Sequence, residues 1–335
     1  MFTRPLAELR GSDAGEFGGK SANLGELLAA DIPVPGGFAL GADAYRDFVR
    51  ATGLEGAIAA ARTRDPDDAS KTIGEAMRFA PLPDAVREEL GRRYEALGEP
   101  PVAVRSSALG EDSHDATFAG QQESFLWVRG VEHLCDAVRD CWASLYTPRA
   151  IAYRRDHRAA DEAMGVAVQQ MVDAEVSGVL FTCNPVSGDP SMVAVNASWG
   201  LGLSVVGGET TPDDYLVSKV TGEVVRRTVN AKEIEYVPDA RGGGTVRREV
   251  PAERRAEPCL DDAGLAALVE VGRRVERHFG SHQDVEWAFE RGTGVLLVLQ
   301  ARPVTALKEA PKLSGSALSL VMSTFGAGKP PDAAE

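Results

Sequence analysis

The sequence predicts an α+β protein of two lobes, built on mixed, mainly antiparallel sheets. Three observations carry that expectation. At about 150 residues per domain, 335 residues are enough for two units. Helical spacing of apolar residues dominates up to Arg158, and strand-like runs dominate after it. Those runs are separated by short turns and do not alternate regularly with helices, as a parallel sheet would require.

The elements follow in chain order. Glu16 to Ala30 reads as a glycine turn and a short helix with Leu24, Leu27 and Leu28 on one face. Ile32 to Phe38 breaks it with two prolines and enters a strand. Ala42 to about Gly98 is largely helical, punctuated at Pro81 and Pro83. Val102 to Arg105 is a buried strand, and Ser106 to Gln122 a loop rich in Gly, Ser and Asp. Leu134, Val138, Cys141, Trp142 and Leu145 have helical spacing, and Pro148 starts a helix through Tyr153. Strands follow at Val166–Val172, Gly178–Thr182 and Met192–Asn196, then a glycine-rich loop at Trp199–Gly208. Tyr215–Lys219 and Glu223–Val229 form a hairpin about Thr221-Gly222, and Arg241–Gly244 is an exposed loop. Asp261 caps a helix that ends at Gly280. Asp284–Glu290 and Val295–Arg302 are the last two strands. The expected division is an N-terminal lobe over 1–165, a C-terminal lobe over 166–305 and a flexible tail over 306–335.

Composition excludes several classes. The net charge of −14 argues against a nucleic-acid partner, although a polyphosphate needs only a few local cations. Runs such as Val295 to Leu299 are too short to span a bilayer, so no membrane partner is expected. The segment MFTRPLAELR lacks the apolar stretch of a signal peptide. The four cysteines form no CxxC pair, which disfavours a zinc site or disulfide framework and fits the cytoplasm.

Four segments carry candidate chemistry. In Gly18-Gly19-Lys20-Ser21, glycines before a helix let N–H groups converge on an anion, and Lys20 adds a charge for phosphate. A Walker loop would need glycine where Ala14 stands. Val102 to Ser107 delivers Arg105 from a rigid strand into a small-residue loop. Thr117-Phe118-Ala119-Gly120-Gln121-Gln122 allows close backbone approach and suits a lid. In the last two strands, Glu286 shares a face with Asp284 and Ala288, and Gln300 shares one with Arg302. A two-residue turn would put Glu286 and Gln300 on opposite faces. A three-residue turn, Gly292-Thr293-Gly294 with Gly294 left-handed, sets them side by side, and that register is the expected one. A carboxylate and an amide oxygen together suit Mg²⁺.

In this order the motifs GGKSANLGEL, VAVRSSALGED, TFAGQQE, VQQMVDAEVSGVLFTCNP, DVEWAFE and LQARPVT resemble the nucleotide-binding domain of the phosphoenolpyruvate synthase, pyruvate phosphate dikinase and rifampicin phosphotransferase group. The resemblance spans residues 10 to 305. It implies an ATP-grasp fold with ATP and Mg²⁺ between two lobes. It places Gly19, Lys20 and Arg105 on phosphates, with the Thr117, Gly120, Gln121 and Gln122 loop closing over them. It makes Gln170, Met171 and Val172 the hinge that reads adenine, with Glu175 and Ser177 near the ribose. Glu286 and Gln300 would hold Mg²⁺, and Arg302 would grip the transferred phosphoryl group.

Two departures stand out. The group's GLGE motif reads Gly200-Leu201-Gly202-Leu203 here, with Glu209 six residues beyond Leu203. Relatives in the group continue into a swivelling domain whose histidine carries phosphate, and no histidine here has that setting. His282 reads as structural, His114 as a loop residue, and His133, His157 and His278 as surface residues. The leading expectation is a phosphotransferase component that passes a phosphoryl group from Mg-ATP to a histidine on a separate or missing domain, for pyruvate or another small acceptor. The alternatives are the nucleotide half of an ATP-dependent ligase or condensing enzyme, and an ATP-binding regulator without turnover.

Overall fold

The computed structural model describes residues 1–61, 63–109, 123–156, 163–240 and 242–304, with backbone only for 153–156. The strands are β1 (Thr3–Pro5), β2 (Gly37–Leu40), β3 (Val102–Ala108), β4 (Ser124–Val128), β5 (Met164–Gln170), β6 (Ala174–Phe181), β7 (Met192–Trp199), β8 (Asp213–Ser218), β9 (Val224–Thr228), β10 (Ile234–Pro238), β11 (Thr245–Glu249), β12 (Gln283–Glu290) and β13 (Leu296–Pro303). The helices are α1 (Ala14–Phe17), α2 (Gly19–Ala29), α3 (Ala42–Thr52), α4 (Glu55–Ala61), α5 (Pro66–Phe79), α6 (Asp84–Ala96), α7 (Val131–Ala143), α8 (Pro148–Asp156), α9 (Leu203–Val206) and α10 (Asp262–Phe279).

The strands form a five-stranded sheet, β1-β2-β5-β3-β4, a six-stranded sheet, β13-β12-β6-β7-β8-β9, and the separate hairpin β10-β11. Every strand pair among the described residues is antiparallel, so the mainly antiparallel character holds throughout. The first sheet buries one face against the helices between β2 and β5. Trp142 on α7 is fully enclosed there, edge-on to Tyr45 and tilted over Phe48. A second core joins the N-terminal segment and α2, through Leu6, Leu24 and Leu27, to α10 and the larger sheet, through Leu268, Tyr215 and Trp287. The amino end of the chain is thereby packed onto the carboxyl-terminal sheet.

Helix α10 follows its sequence signals. The Asp261 carboxylate accepts from the Gly264 N–H at 2.8 Å, and Gly280 ends the helix at φ 68°. The boundary between the sheets differs from the expected one. Residue 166 lies inside β5, which pairs with β2 and β3 in the first sheet, so the crossover falls at 171–173, between β5 and β6. The apolar run Val166–Val172 contains both the end of one sheet and the link to the next, and hydrophobicity does not mark where pairing changes. The tail beyond 304 and the 110–122 loop lie outside the described residues.

Candidate active site

The last two strands build the floor of the site. Residues 291–295 join β12 to β13, and the bonds from Glu290 N–H to Val295 O and from Gly294 N–H to Glu290 O close a four-residue loop over Arg291–Gly294. The expected three-residue turn is therefore not used. Near the turn Trp287 faces Val298, yet Glu286 faces Gln300 as expected. The difference is a β-bulge at Leu299, which restores the parity that the longer loop removes. The bulge also frees the Leu299 carbonyl from the ladder, and Arg105 Nη1 donates to it at 3.1 Å.

Arg105 reaches this point from β3 of the other sheet. Its Nη2 donates to Glu286 Oε2 at 2.7 Å and to Gln300 Oε1 at 2.7 Å. Its Nε is buried and has no hydrogen-bond partner among the described residues. Lys20 arrives on the first turn of α2, almost fully buried, and its Nζ donates to Ser106 O at 2.7 Å. Gly18 makes that approach possible. It sits at φ 82°, and a Cβ there would lie 2.1 Å from Ser107 O. Gly18→Ala is expected to cost about 3 kcal/mol or more in thermal unfolding, from backbone strain plus overpacking. Gly19, the first residue of α2, is buried.

The carboxylates on this face are held differently. Burial by itself would raise the Glu286 carboxyl. The charge and hydrogen bond of Arg105, with Lys20 and Arg302 nearby, outweigh burial and hold it below its ordinary value. Asp284 is raised, first by burial and further by Glu286, against the opposing pull of Arg302. A depressed carboxyl stabilises the fold above its unfolded value and loses that contribution as pH falls through its folded value. The stability gap between wild type and Glu286→Gln is expected to be constant above about pH 4.5, near the ordinary glutamate value, and to shrink below it. Thermal melts across that range measure it.

Toward the hinge the same face turns apolar. Ala288 pairs with Leu297, and these pack with Val172, Ala174, Leu201, Met171, Tyr236 and Leu299. Polarity thus runs along one strip of sheet, from the Asp284–Arg302 pair through Glu286 and Gln300 to Ala288 and Leu297. At about 3.3 Å per residue the strip is roughly 13 Å long from Ala288 to Asp284. The linker residues Gln170, Met171 and Val172 border the apolar end. Gln170 N–H is taken by Gly36 O and Met171 N–H by Pro101 O. The Val172 N–H has no backbone partner among the described residues.

The two residues expected near the ribose, Glu175 and Ser177, both have partners within the chain. Glu175 is the extra residue where β6 meets β12 irregularly, so its side chain leaves the site-facing alternation. Its carboxylate is shared between Arg254, at 2.7 Å, and Arg291. Ser177 lies directly opposite Ala288 on the site-facing side of β6 and is buried, its hydroxyl donating to Gly200 O at 2.6 Å. Arg302 is half exposed and pairs with Asp284, its cross-strand neighbour, at 2.8 Å. Thr117, Gly120, Gln121, Gln122 and His114 lie outside the described residues. His282 bonds Glu276 at 2.5 Å and His278 bonds Glu26 at 3.0 Å, both away from the Glu286 face. Glu209 accepts from Tyr236 Oη at 2.9 Å, on the rim of the apolar end.

A cavity of about 630 Å³ lies elsewhere, between Trp127, Arg129, Asp173, Arg291 and the β10-β11 tip. Its lining includes neither Lys20 nor Arg105, Glu286 or Gln300.

Two antiparallel sheets, joined at a strip graded from charged to apolar, define a two-lobed α+β domain. The chain belongs to the family described as pyruvate phosphate dikinase, AMP/ATP-binding domain, whose model matches residues 14–317. A probable phosphoenolpyruvate synthase of Methanothermobacter thermautotrophicus is 42% identical over 318 residues, covering 90% of this chain and 46% of that protein. One from Archaeoglobus fulgidus is 40% identical over 321 residues, covering 92% of this chain and 42% of its own. One from Methanocaldococcus jannaschii is 40% identical over 328 residues, covering 93% and 27%. The chain thus spans less than half the length of these curated relatives. Among solved structures, D-alanyl-alanine synthetase A of Vibrio cholerae aligns over 71% of this chain and 54% of its own at TM-score 0.28 and 9% identity, too remote to carry an argument.

Proposed function

We propose that this chain binds ATP with Mg²⁺ and donates a phosphoryl group to a histidine on another domain or protein, which passes it to pyruvate or a comparable small acceptor. The observation that carries the reading is the convergence of Lys20, from the first turn of α2, and Arg105, from β3, on Glu286, Gln300 and Arg302 of the larger sheet. The family supplies the nucleotide, and the names of the relatives supply the acceptor class.

The side chains fit a magnesium ion. Glu286 Oε2 and Gln300 Oε1 each lie 2.7 Å from one guanidinium nitrogen, so two hard oxygens already converge on a single positive centre. Among the described residues no group of three or more His, Cys, Asp or Glu converges, which suits a cation that draws most of its ligands from water and phosphate. When bound there, Mg²⁺ would supply charge neutralisation on the phosphate oxygens. Lys20 and Arg105 would orient the phosphate chain, Arg302 would hold the departing phosphoryl group, and Val172 with Ala288, Leu201 and Leu297 would seat the base. The chain's part in phosphoryl transfer is positioning and charge compensation, with the nucleophile supplied by the partner imidazole.

The test is transfer from ATP labelled in the β or the γ phosphate to the histidine-bearing domain of a longer relative. Acid-labile, base-stable label on that histidine, dependent on this chain, is the expected result. Label appearing only as free phosphate, or ATP remaining intact with the carrier present, would contradict it.

A further inference from the structure

We infer that Arg105 acts as a built-in cation that occupies the metal ligands until a polyphosphate draws it away, so that the divalent ion enters with the nucleotide and not ahead of it. The inference rests on the reading of Glu286 and Gln300 as metal ligands. Three acceptors of the larger sheet are satisfied by this one side chain: Glu286 Oε2 at 2.7 Å, Gln300 Oε1 at 2.7 Å and the bulged Leu299 carbonyl at 3.1 Å. The first two are held by the same Nη2, the point toward which a metal would also draw them. A guanidinium carries its charge at every pH of interest, so protonation cannot release it. A Mg²⁺ ion needs its oxygens at about 2.0–2.1 Å and cannot share that point with an N–H group.

The guanidinium is also incompletely satisfied. Its Nε is buried without a hydrogen-bond partner among the described residues, while its other two nitrogens are engaged. A buried donor of a charged group without an acceptor is costly, and an anionic oxygen on that side would relieve it. Lys20, whose charge reaches Glu286, lies on the same approach. A phosphate chain arriving between Lys20 and Arg105 offers the guanidinium better acceptors and brings its own cation to the two oxygens that Arg105 leaves. A metal ion alone offers Arg105 no such exchange. Its apparent affinity is then reduced by the small fraction of molecules in which Arg105 has let go.

Binding of Mn²⁺ to the full chain, read by loss of the free-ion electron paramagnetic resonance signal beyond the loss that the analogue alone causes, tests this without turnover. Wild type is expected to bind Mn²⁺ about tenfold or more weakly without nucleotide than with a non-hydrolysable ATP analogue. Arg105→Gln and Arg105→Ala are expected to gain nucleotide-free binding by a similar factor of about ten, Arg105→Lys to keep the block, and Glu286→Gln added to Arg105→Gln to abolish the gain. Wild type that binds Mn²⁺ alone as tightly as with the analogue, through Glu286, overturns the inference whether or not the variants fold. So does an Arg105→Gln protein that is folded and binds free Mn²⁺ no better than wild type. If Glu286→Gln leaves Mn²⁺ binding unchanged even with the analogue present, it is the assignment of the metal ligands that fails.

Discussion

Glu286→Ala is expected to abolish magnesium-dependent nucleotide turnover, by about a hundredfold or more, while the chain still folds. The carboxylate is the only charged group among the two proposed metal ligands, and it is also the counter-ion of Arg105. Its loss removes a metal ligand and leaves the guanidinium on the neutral acceptors Gln300 Oε1 and Leu299 O. The structural penalty is smaller than the chemical one, about 1–3 kcal/mol, because those two acceptors remain. Calorimetric titration with the ATP analogue, with and without Mg²⁺, together with a phosphate-release assay, separates the two effects. Turnover equal to wild type would show that the metal is held elsewhere.

Lys232→Met is expected to produce the largest loss of stability, about 3–5 kcal/mol. Lys232 and Asp213 are both fully buried and 2.6 Å apart. The ammonium also donates to Asn230 O and Glu257 O, each at 2.8 Å, while Asp213 accepts from Asn230 N–H, Cys259 N–H and Tyr215 Oη. Removing the cation leaves an uncompensated carboxylate in the interior. A fall in melting temperature of about 5–10 °C follows, and adding Asp213→Asn is expected to recover part of it, a non-additivity that a double-mutant cycle reads directly. The network matters to the site because it anchors the segment that carries Arg254. That arginine lies 4.2 Å over the Trp199 ring and pairs with Glu175 beside the hinge.

The sequence carried much of the site because the chemistry sits on regular strands. Period-2 alternation places Asp284, Glu286 and Ala288 on one face, and the structure keeps them there. The pairing of Glu286 with Gln300 was also legible, but through a different device. A four-residue loop and a bulge at Leu299 together restore the parity assigned to a three-residue turn, and local pattern cannot separate these two routes. Glu175 was illegible for the same reason, since a bulge breaks the alternation that would have aimed it. The short edge strands β4, β10 and β11 were not expected. Thr245–Glu249 has one apolar residue in five, Ile234–Pro238 is short and ends in proline, and backbone contacts with Leu201 and Trp127 hold the hairpin in place. Lys232 and Asp213 carry no signal in sequence at all. Each stands among polar neighbours in a segment that reads as surface, and only the packing around them shows a buried pair.

The most direct measurement is a crystal structure of the full chain with Mg²⁺ and a non-hydrolysable ATP analogue. The expected result is a metal ion at about 2.1 Å from oxygens of Glu286 and Gln300, phosphates between Lys20 and a displaced Arg105, and the base against Ala288, Leu201 and Leu297. A nucleotide bound instead in the cavity beside Trp127 and Arg291, with Arg105 still on Glu286 and Gln300, would contradict the account.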